Sequence, residues 1–189
     1  QKQLKHRERG KFKKEWWQFS RPQNLGEFET VKIMTPDISN ECNFTLDDKG
    51  ILYHTTTIYS IAFNEKGNLN PLFYLALLNS SLMKFFIYNI GTVLRGGFTR
   101  FKPQYMNPFP IPNLDLQNSK YKTMHDKLVS LVSEIIEVKK RLYEVKLDSD
   151  KKFLEQKFEL LDSQVDHLVY QLYELTEEEI QVVEEGYRK

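Results

Sequence analysis

The clearest pattern of hydrophobic and polar positions lies in the last third of the chain. Between residues 121 and 145, and again between 154 and 175, apolar residues recur at alternating spacings of three and four. This period places them on one face of an α-helix. The polar segment 146–152 between them predicts an antiparallel helical hairpin with a coiled-coil-like seam. Thr176 and Glu179 then form a capping box, which predicts a short final helix.

A second helical pattern precedes this hairpin. Asn70 as N-cap and Pro71 at the first helical position predict a helix over 71–90. Its residues are apolar on most sides, which favours a position in the core. The polar triplet Asn79–Ser81 in its middle leaves open whether it forms one helix or two shorter ones.

The segments before this helix predict strands. Residues 28–34 and 51–63 are rich in β-branched and aromatic residues, which favour strands. Between them, residues 47–50 hold two Asp and a Gly, which is a turn signal. We therefore expect short strands in the first half of the chain and long helices in the second.

Residues 91–113 have a different character from both halves. They contain three Gly and four Pro, and each proline removes a backbone donor, so a long helix is excluded here. Cations and aromatic residues alternate in this segment, as they do in surfaces that contact nucleic acids.

Composition narrows the class of protein. With 40% hydrophobic and 13% aromatic residues, the 189-residue chain can bury a core. Its single Cys42 excludes an internal disulfide framework and favours a reducing, cytoplasmic location. The four His are dispersed without ligand spacing, so we expect no metal site. No apolar run reaches the length of a membrane span, so we expect no membrane partner.

The formal net charge of +1 conceals an asymmetry between the two halves. Through Asn113 the chain has 15 Lys and Arg against nine Asp and Glu, and after it 12 against 17. A basic half beside an acidic half is typical of a protein in which one part meets nucleic acid. Two surfaces that merely differ in charge would give the same numbers.

Residues 1–27 form a basic N-terminal arm that includes Trp16, Trp17 and Arg21. It is either a contact surface for phosphates or a solvated helix whose tryptophans dock on the core. Because the chain begins with Gln1, we expect a fragment of a longer protein.

Two motifs imitate active sites. Asp37, Asp47 and Lys49 have the spacing of a metal-dependent nuclease, but Asp47 lies in a turn where Asp is favoured for backbone reasons. Asn107–Phe109 lacks the second proline of the methyltransferase loop that it imitates, and no strand leads into a Gly-rich turn that would hold S-adenosylmethionine. We therefore expect no catalytic residue and no cofactor site in this chain.

The segment 91–105 remains the best candidate site. The cations Arg95, Arg100 and Lys102 suit phosphates or guanine edges, and Gly96–Gly97 permits close backbone approach. The aromatic residues of the segment are either further contacts or anchors to the core, and the anchor role is favoured for its phenylalanines. They are Phe98, Phe101 and Tyr105.

Several segments, in this order along the chain, resemble one protein family, the TaqI-like C-terminal specificity domain of adenine-specific DNA methyltransferases and fused restriction-modification enzymes. The resemblance lies in residues 32–39, 48–50, 74–83, 95–101, 104–112 and 166–180. It covers roughly residues 28–182. At Glu174 the family often has Gly, and this departure predicts a smoother continuation of the helix.

The resemblance implies an α+β fold, with a small twisted mixed β-sheet and packed helices followed by the long helical hairpin. It also implies three parts: residues 1–27 as a truncated connection to an upstream catalytic domain, residues 28–113 as the recognition domain, and residues 114–189 as a helical spacer and docking region. It implies a non-catalytic DNA target-recognition domain, whose parent enzyme is an S-adenosylmethionine-dependent adenine methyltransferase that in some cases also carries an endonuclease. The implied partners are double-stranded DNA and the upstream methyltransferase domain, and helix-mediated self-association is a further prediction. The predicted DNA-contacting residues are Arg21, Lys32, Lys84, Arg95, Gly96, Gly97, Thr99, Arg100, Lys102 and Tyr105.

Two alternatives remain open, a close runner-up of the same class and a module of a different class. Type I restriction specificity subunits show a similar order, with a recognition domain that ends in a Pro-Ile-Pro segment before a long helix. A protein–protein assembly module, with DNA left to other domains, is the second alternative. Salt-dependent DNA binding distinguishes a recognition domain from an assembly module.

Overall fold

The computed structural model describes residues 25–63 and 69–186, which form the predicted α+β fold. The strands in this part of the chain are β1 (Lys32–Pro36), β2 (Ile38–Ser39), β3 (Thr45–Asp47), β4 (Ile58–Ala62) and β5 (Thr99–Arg100). They form two small sheets, with the strand orders β3–β1–β4 and β2–β5. The helices are α1 (Pro71–Asn79), α2 (Ser81–Ile90), α3 (Pro103–Met106), α4 (Ser119–Glu144), α5 (Asp148–Leu172) and α6 (Glu177–Gly186).

The pairing of these described strands is antiparallel throughout, where a mixed sheet was expected. β1 pairs with both neighbours, with Ile33 opposite Leu46 of β3 and Ile61 of β4. The link from β1 to β3 is too short for the crossover that a parallel pair needs. Ile33 is fully buried, so this sheet packs on the core through the middle of β1.

The predicted strand over 51–63 is shorter than expected, because only β4 enters the sheet. Gly50 has a φ of +64°, which turns the chain away from β3. The Asp47 carboxylate then accepts the N–H groups of Ile51 and Leu52 at 3.2 and 2.9 Å. A side chain thus replaces the partner strand for these two donors, and both residues remain exposed.

The apolar segment 71–90 is divided at Ser80 into α1 and α2, the second of the two arrangements that its polar triplet allowed. The Ser80 hydroxyl accepts the N–H of Met83 at 3.2 Å and caps α2. The Asn79 amide accepts the N–H of Phe44 at 2.9 Å and donates to its carbonyl at 3.0 Å. The break therefore fastens the two helices to the chain that leads into β3.

The helical hairpin is confirmed by α4 and α5, and each predicted seam residue is buried or half-buried. Leu128 of α4 is fully buried, and Leu154 of α5 is 2% exposed. The connection covers only 145–147, because Asp148 and Asp150 already lie in the first turn of α5. Acidic residues are favoured there by the positive end of the helix dipole.

The hairpin packs on the recognition half through several polar and aromatic contacts. The His125 ring of α4 lies 5.3 Å from that of Phe73, between centroids, and its Nε2 accepts the N–H of Asn70 at 3.3 Å. The Tyr173 hydroxyl donates to the Pro110 carbonyl at 2.6 Å. Phe109, from the motif that imitates a methyltransferase loop, is 6% exposed, so it serves as a core anchor.

The end of α5 corrects the expectation that the helix continues smoothly at Glu174. This residue has a φ of +55°, and the Leu175 N–H donates to the Tyr170 carbonyl at 3.0 Å. The Glu174 N–H donates to the Gln171 carbonyl at 3.2 Å, which completes a Schellman cap. Glu174 therefore takes the left-handed conformation that glycine adopts more easily. The predicted capping box follows, with the Glu179 N–H donating to Thr176 Oγ1 at 3.3 Å.

Within the described residues, no single helix is both long and apolar enough to cross a membrane. α1 and α2 meet that criterion only as a pair, which is bent by 59°.

Candidate nucleic-acid interface

Residues 92–100 form a short β-hairpin, where the sequence predicted only that a long helix is excluded. The Leu94 N–H donates to the Phe98 carbonyl at 2.6 Å, and Val93 pairs with Thr99. Gly96 and Gly97 have φ values of +86° and +78° at the tip. Two glycines flanked by β-branched residues were the available signal for this hairpin.

The hairpin is fixed to the recognition half at two places. The Tyr88 hydroxyl of α2 lies 2.9 Å from the Asn40 carbonyl oxygen and 2.8 Å from that of Gly97. Thr99 is fully buried, and a Cβ added at Gly91 would lie 3.0 Å from its methyl carbon. The tip is thus exposed while its base is packed, which suits a surface that must meet a rigid partner.

Arg95 projects from the tip of this hairpin. Its side chain is exposed and has no carboxylate within ion-pair distance among the described residues. Lys102, at the N-cap position of α3, is half-buried and likewise forms no ion pair in the described part of the chain. These two cations are therefore available to an anionic partner.

The other predicted cations within the described residues each have an acidic partner. Arg100 Nη1 lies 3.1 Å from Asp37 Oδ2, and its side chain is 32% exposed. Lys84 Nζ lies 2.7 Å from Glu41 Oε2, and its side chain is 18% exposed. Ion pairing with described residues therefore distinguishes Arg100 and Lys84 from the unpaired Arg95 and Lys102, and the sequence does not indicate this difference.

Lys32 is a correction to the predicted contact set. It is only 1% exposed, and its Nζ lies 2.5 Å from Asp47 Oδ2 and 2.6 Å from the Phe28 carbonyl oxygen. Burial works against the charge of Asp47, but hydrogen bonds from Lys32 and from backbone N–H groups lower the pKa of that carboxyl to about 2. Lys32 therefore holds the β1–β3 pair together and does not reach a phosphate.

The same pair removes the support for the nuclease motif, because the Asp47 carboxylate is occupied by Lys32 and the backbone. Thr99 is a second correction to the contact set, since its side chain is fully buried at the base of the hairpin. Arg21 lies outside the described residues.

The aromatic residues of the segment divide into anchors and one exposed ring. Phe101 is fully buried and meets Phe44 edge to face, with centroids 5.8 Å apart, as the anchor prediction requires. The Tyr105 and Thr92 hydroxyl oxygens are 2.7 Å apart, and this hydrogen bond lowers the pKa of Tyr105. Phe98 differs from the prediction, because it is 42% exposed. Its ring lies close to Gly96, where an added Cβ would be 3.6 Å from Phe98 Cδ2.

The Gly96–Gly97 turn does not fit the glycine-rich loop of an S-adenosylmethionine site. Gly96 and Gly97 turn one antiparallel segment back on another, and a strand, not a helix, comes directly after them. A glycine-rich cofactor loop uses a strand-to-helix turn, whose free N–H groups face the ligand. The geometry of the hairpin instead presents a cation and an aromatic ring outward.

Comparison with known families decides the assignment. The model of the TaqI-like C-terminal specificity domain matches residues 2–111. The chain belongs to this family. The match includes the whole 92–100 hairpin, so the segment that matches the family contains the candidate interface.

Relatives of this specificity domain are type II restriction-modification enzymes. The chain is 28% identical over 184 residues to the type II restriction enzyme and methyltransferase RM.Eco57I of Escherichia coli, which covers 92% of the chain and 18% of that protein. It is 31% identical over 127 residues to the type II methyltransferase M.BstVI of Geobacillus stearothermophilus, covering 62% of the chain and 22% of the relative. It is 33% identical over 85 residues to the type II methyltransferase M.XhoI of Xanthomonas vasicola, and this match covers 45% of the chain and 15% of the relative.

The chain therefore spans no more than about a fifth of the length of these relatives. The family match and the relatives support the predicted role as the DNA-recognition domain of a restriction-modification enzyme. Because the relatives are type II enzymes, they favour this assignment over a type I specificity subunit.

Proposed function

We propose that this chain is the target-recognition domain of a type II DNA adenine methyltransferase and that it contacts duplex DNA through the 92–100 hairpin. The observation that carries the proposal is the exposed Arg95 on a rigidly based, glycine-tipped hairpin. A two-stranded ribbon of this kind fits the major groove of B-DNA. Most protein–DNA contacts go to phosphates and set the register in which the remaining side chains meet the bases.

Arg95 and Lys102 are the proposed phosphate contacts, because each is a cation without a carboxylate partner in the described part of the chain. Gly96 and Gly97 let the backbone approach the duplex closely, and Tyr105 lies beside Thr92 at the base of the hairpin. Lys84 stays in the proposed set as a secondary contact, since its pair with Glu41 must compete with phosphate.

The test is the affinity for a labelled duplex as a function of salt. We expect weak binding that falls as salt rises, and Arg95→Ala lowers the magnitude of the logarithmic slope by about one. Lys152→Ala is the matched control, because Lys152 is an exposed cation at the loop end of the helical hairpin. Equal effects of the two variants, or no binding at low salt, would refute the proposal.

The parent enzyme is proposed to transfer a methyl group from S-adenosylmethionine to adenine, with both the cofactor site and the chemistry in its upstream domain. The type II methyltransferase relatives support this arrangement, and one relative supports an additional endonuclease. The chain alone should then transfer no labelled methyl group to duplex DNA. Transfer above background would show that the chain itself is catalytic.

The helical region 114–189 is proposed as a spacer and docking surface. A specific observation favours a protein contact here: Tyr143, Leu147 and Phe153 are 92%, 65% and 64% exposed near the loop end of the hairpin. An assembly role is therefore the second candidate function, with self-association through this end. Sedimentation of the chain should show a concentration-dependent dimer that Phe153→Asp abolishes, and a monomer at all concentrations would contradict it.

A further inference from the structure

The pair formed by Arg100 and Asp37 is built differently from the other cation sites. Arg100 lies in β5, its backbone N–H donates to the Thr92 carbonyl at 3.3 Å, and it pairs with Ile38 of β2. Asp37 lies between β1 and β2, and its N–H donates to the Thr57 carbonyl at 2.8 Å. Both backbones are therefore fixed by the sheets before their side chains meet.

The contact between the two side chains uses only part of each. Arg100 Nη1 donates to Asp37 Oδ2 at 3.1 Å, and within the described residues the guanidinium has no second hydrogen-bond acceptor. Asp37 Oδ1 is buried and has no hydrogen-bond partner in the same part of the chain. Arginine and carboxylate pairs often form two parallel bonds, whereas this one leaves donors of a half-exposed guanidinium unused.

An arginine held on one side by a carboxylate presents its remaining donors in a fixed direction. The guanine edge in the major groove offers two acceptors, O6 and N7, and a planar guanidinium matches both at once. A phosphate contact needs no such orientation, since charge alone provides the attraction. Arg95, which has no partner, suits phosphate, and Arg100 suits a base.

We propose that Arg100 reads a guanine in the target sequence and that Asp37 is its positioning residue. This inference rests on the proposed function, because it assigns the direct base contact within the same hairpin surface. Lys84, the other paired cation at this surface, carries a compact ammonium group that lacks the guanidinium fork.

The test is the selection of preferred sequences from a pool of short duplexes with a randomised central segment. It compares the 189-residue chain with Arg100→Lys, Asp37→Asn and Arg95→Ala. The matched control is Glu134→Gln, which removes an ion pair of 2.6 Å with Lys157 between the two hairpin helices. Thermal unfolding identifies any variant that has lost its fold. If Asp37→Asn does not fold, Arg100→Gln takes its place in the comparison.

We expect the wild-type chain to select a sequence with at least one fixed G·C pair. Arg100→Lys and Asp37→Asn lose the preference at that pair by about tenfold or more and keep it elsewhere. Asp37→Asn leaves unchanged the slope of logarithmic affinity against logarithmic salt concentration. If the pair bound a phosphate, the same substitution would change that slope. Arg95→Ala keeps the selected sequence and lowers the slope by about one.

The inference is overturned if both pair variants select the wild-type sequence, or if they weaken the preference equally at all positions. A Glu134→Gln variant that loses the same base preference would likewise overturn it. Failure of the wild-type chain to bind any duplex at low salt would instead overturn the proposed function itself, and this inference with it.

Discussion

The described residues of 28–113 and the helices of 119–172 share one apolar core, but their backbones are fixed by different interactions. In the first region, short strands are fastened by side chains that bind backbone groups, such as Asn79 with Phe44 and Asp47 with Leu52. In the second, two long helices share an apolar seam. A seam tolerates change along its polar faces, whereas a network of single contacts holds particular side chains in particular directions. The first region is therefore the one suited to reading a sequence.

The largest expected effect comes from the seam. Leu128→Ala removes a fully buried side chain of α4 and should lower the free energy of unfolding by about 2–5 kcal/mol. Lys127→Ala, on the same helix, is the control, because Lys127 is exposed and its truncation should change that value by less than about 0.5 kcal/mol. Urea unfolding measures both, and similar losses would contradict the assignment of the seam.

A smaller effect is expected from the turns of the first region. Gly50 and Gly97 both have positive φ, but a Cβ added at Gly50 would lie 2.6 Å from the Glu29 carbonyl carbon, whereas Gly97 faces open space. Gly97→Ala should cost about 1–2 kcal/mol of unfolding free energy from backbone strain alone. Gly50→Ala should cost more, because the backbone of Glu29 must also move. The reverse order in urea unfolding would show that the Gly50 turn is not constrained as described.

Glu174 offers a change of opposite sign at the end of the seam. Its φ of +55° is strained for a residue with a side chain, so Glu174→Gly should raise the free energy of unfolding by about 1 kcal/mol. Glu177→Gly, in the first turn of α6, is the control and should not stabilise. Destabilisation by Glu174→Gly would refute the left-handed cap.

The two regions should also differ in their response to pH. Burial, and then the nearby Asp166 carboxylate, raises the pKa of Asp162 in α5 from 3.8 to about 6. The unfolded chain therefore ionises first, and the folded state loses stability as pH rises from about 4 to about 6. Asp47, whose folded pKa is about 2, contributes stability that is present above pH 4 and lost as pH falls towards 2.

Asp162→Asn isolates the first of these titrations. The wild type loses stability through Asp162 as pH rises from about 4 to about 6, and the variant does not. The melting temperature of the variant minus that of the wild type should therefore increase over this range and then stay constant. This effect is expected to be the smallest, because Asp162 is only half-buried and solvent screens it. A difference that does not change across this range would contradict the raised pKa.

The helical region could be predicted from sequence because one period determines both the helix and the buried face. The seam residues followed from spacing alone, but the loop was misjudged, since acidic residues at 148 and 150 extend α5 backwards. Glu174 was misjudged for a different reason. The packing of Tyr173 on Pro110 and the cap at Leu175 end the helix despite a residue that could continue it.

The recognition region could be predicted only in part. Its chemistry was visible in Arg95 and Lys102, but the partners of the other cations depend on strand register. Lys32 meets Asp47 because these residues are opposite each other in the β1–β3 pair, and nothing in the local sequence indicates this. Phe98 and Phe101 look alike in sequence, yet only Phe101 faces the core.

Hydrogen–deuterium exchange with and without a duplex tests most directly which region meets DNA. We expect slower exchange on DNA binding for the amides of 92–100, and unchanged exchange for the helical loop at 145–147. Slower exchange in the helical loop together with no change in 92–100 would contradict the assigned DNA interface, because the helical end and not the hairpin would then contact DNA.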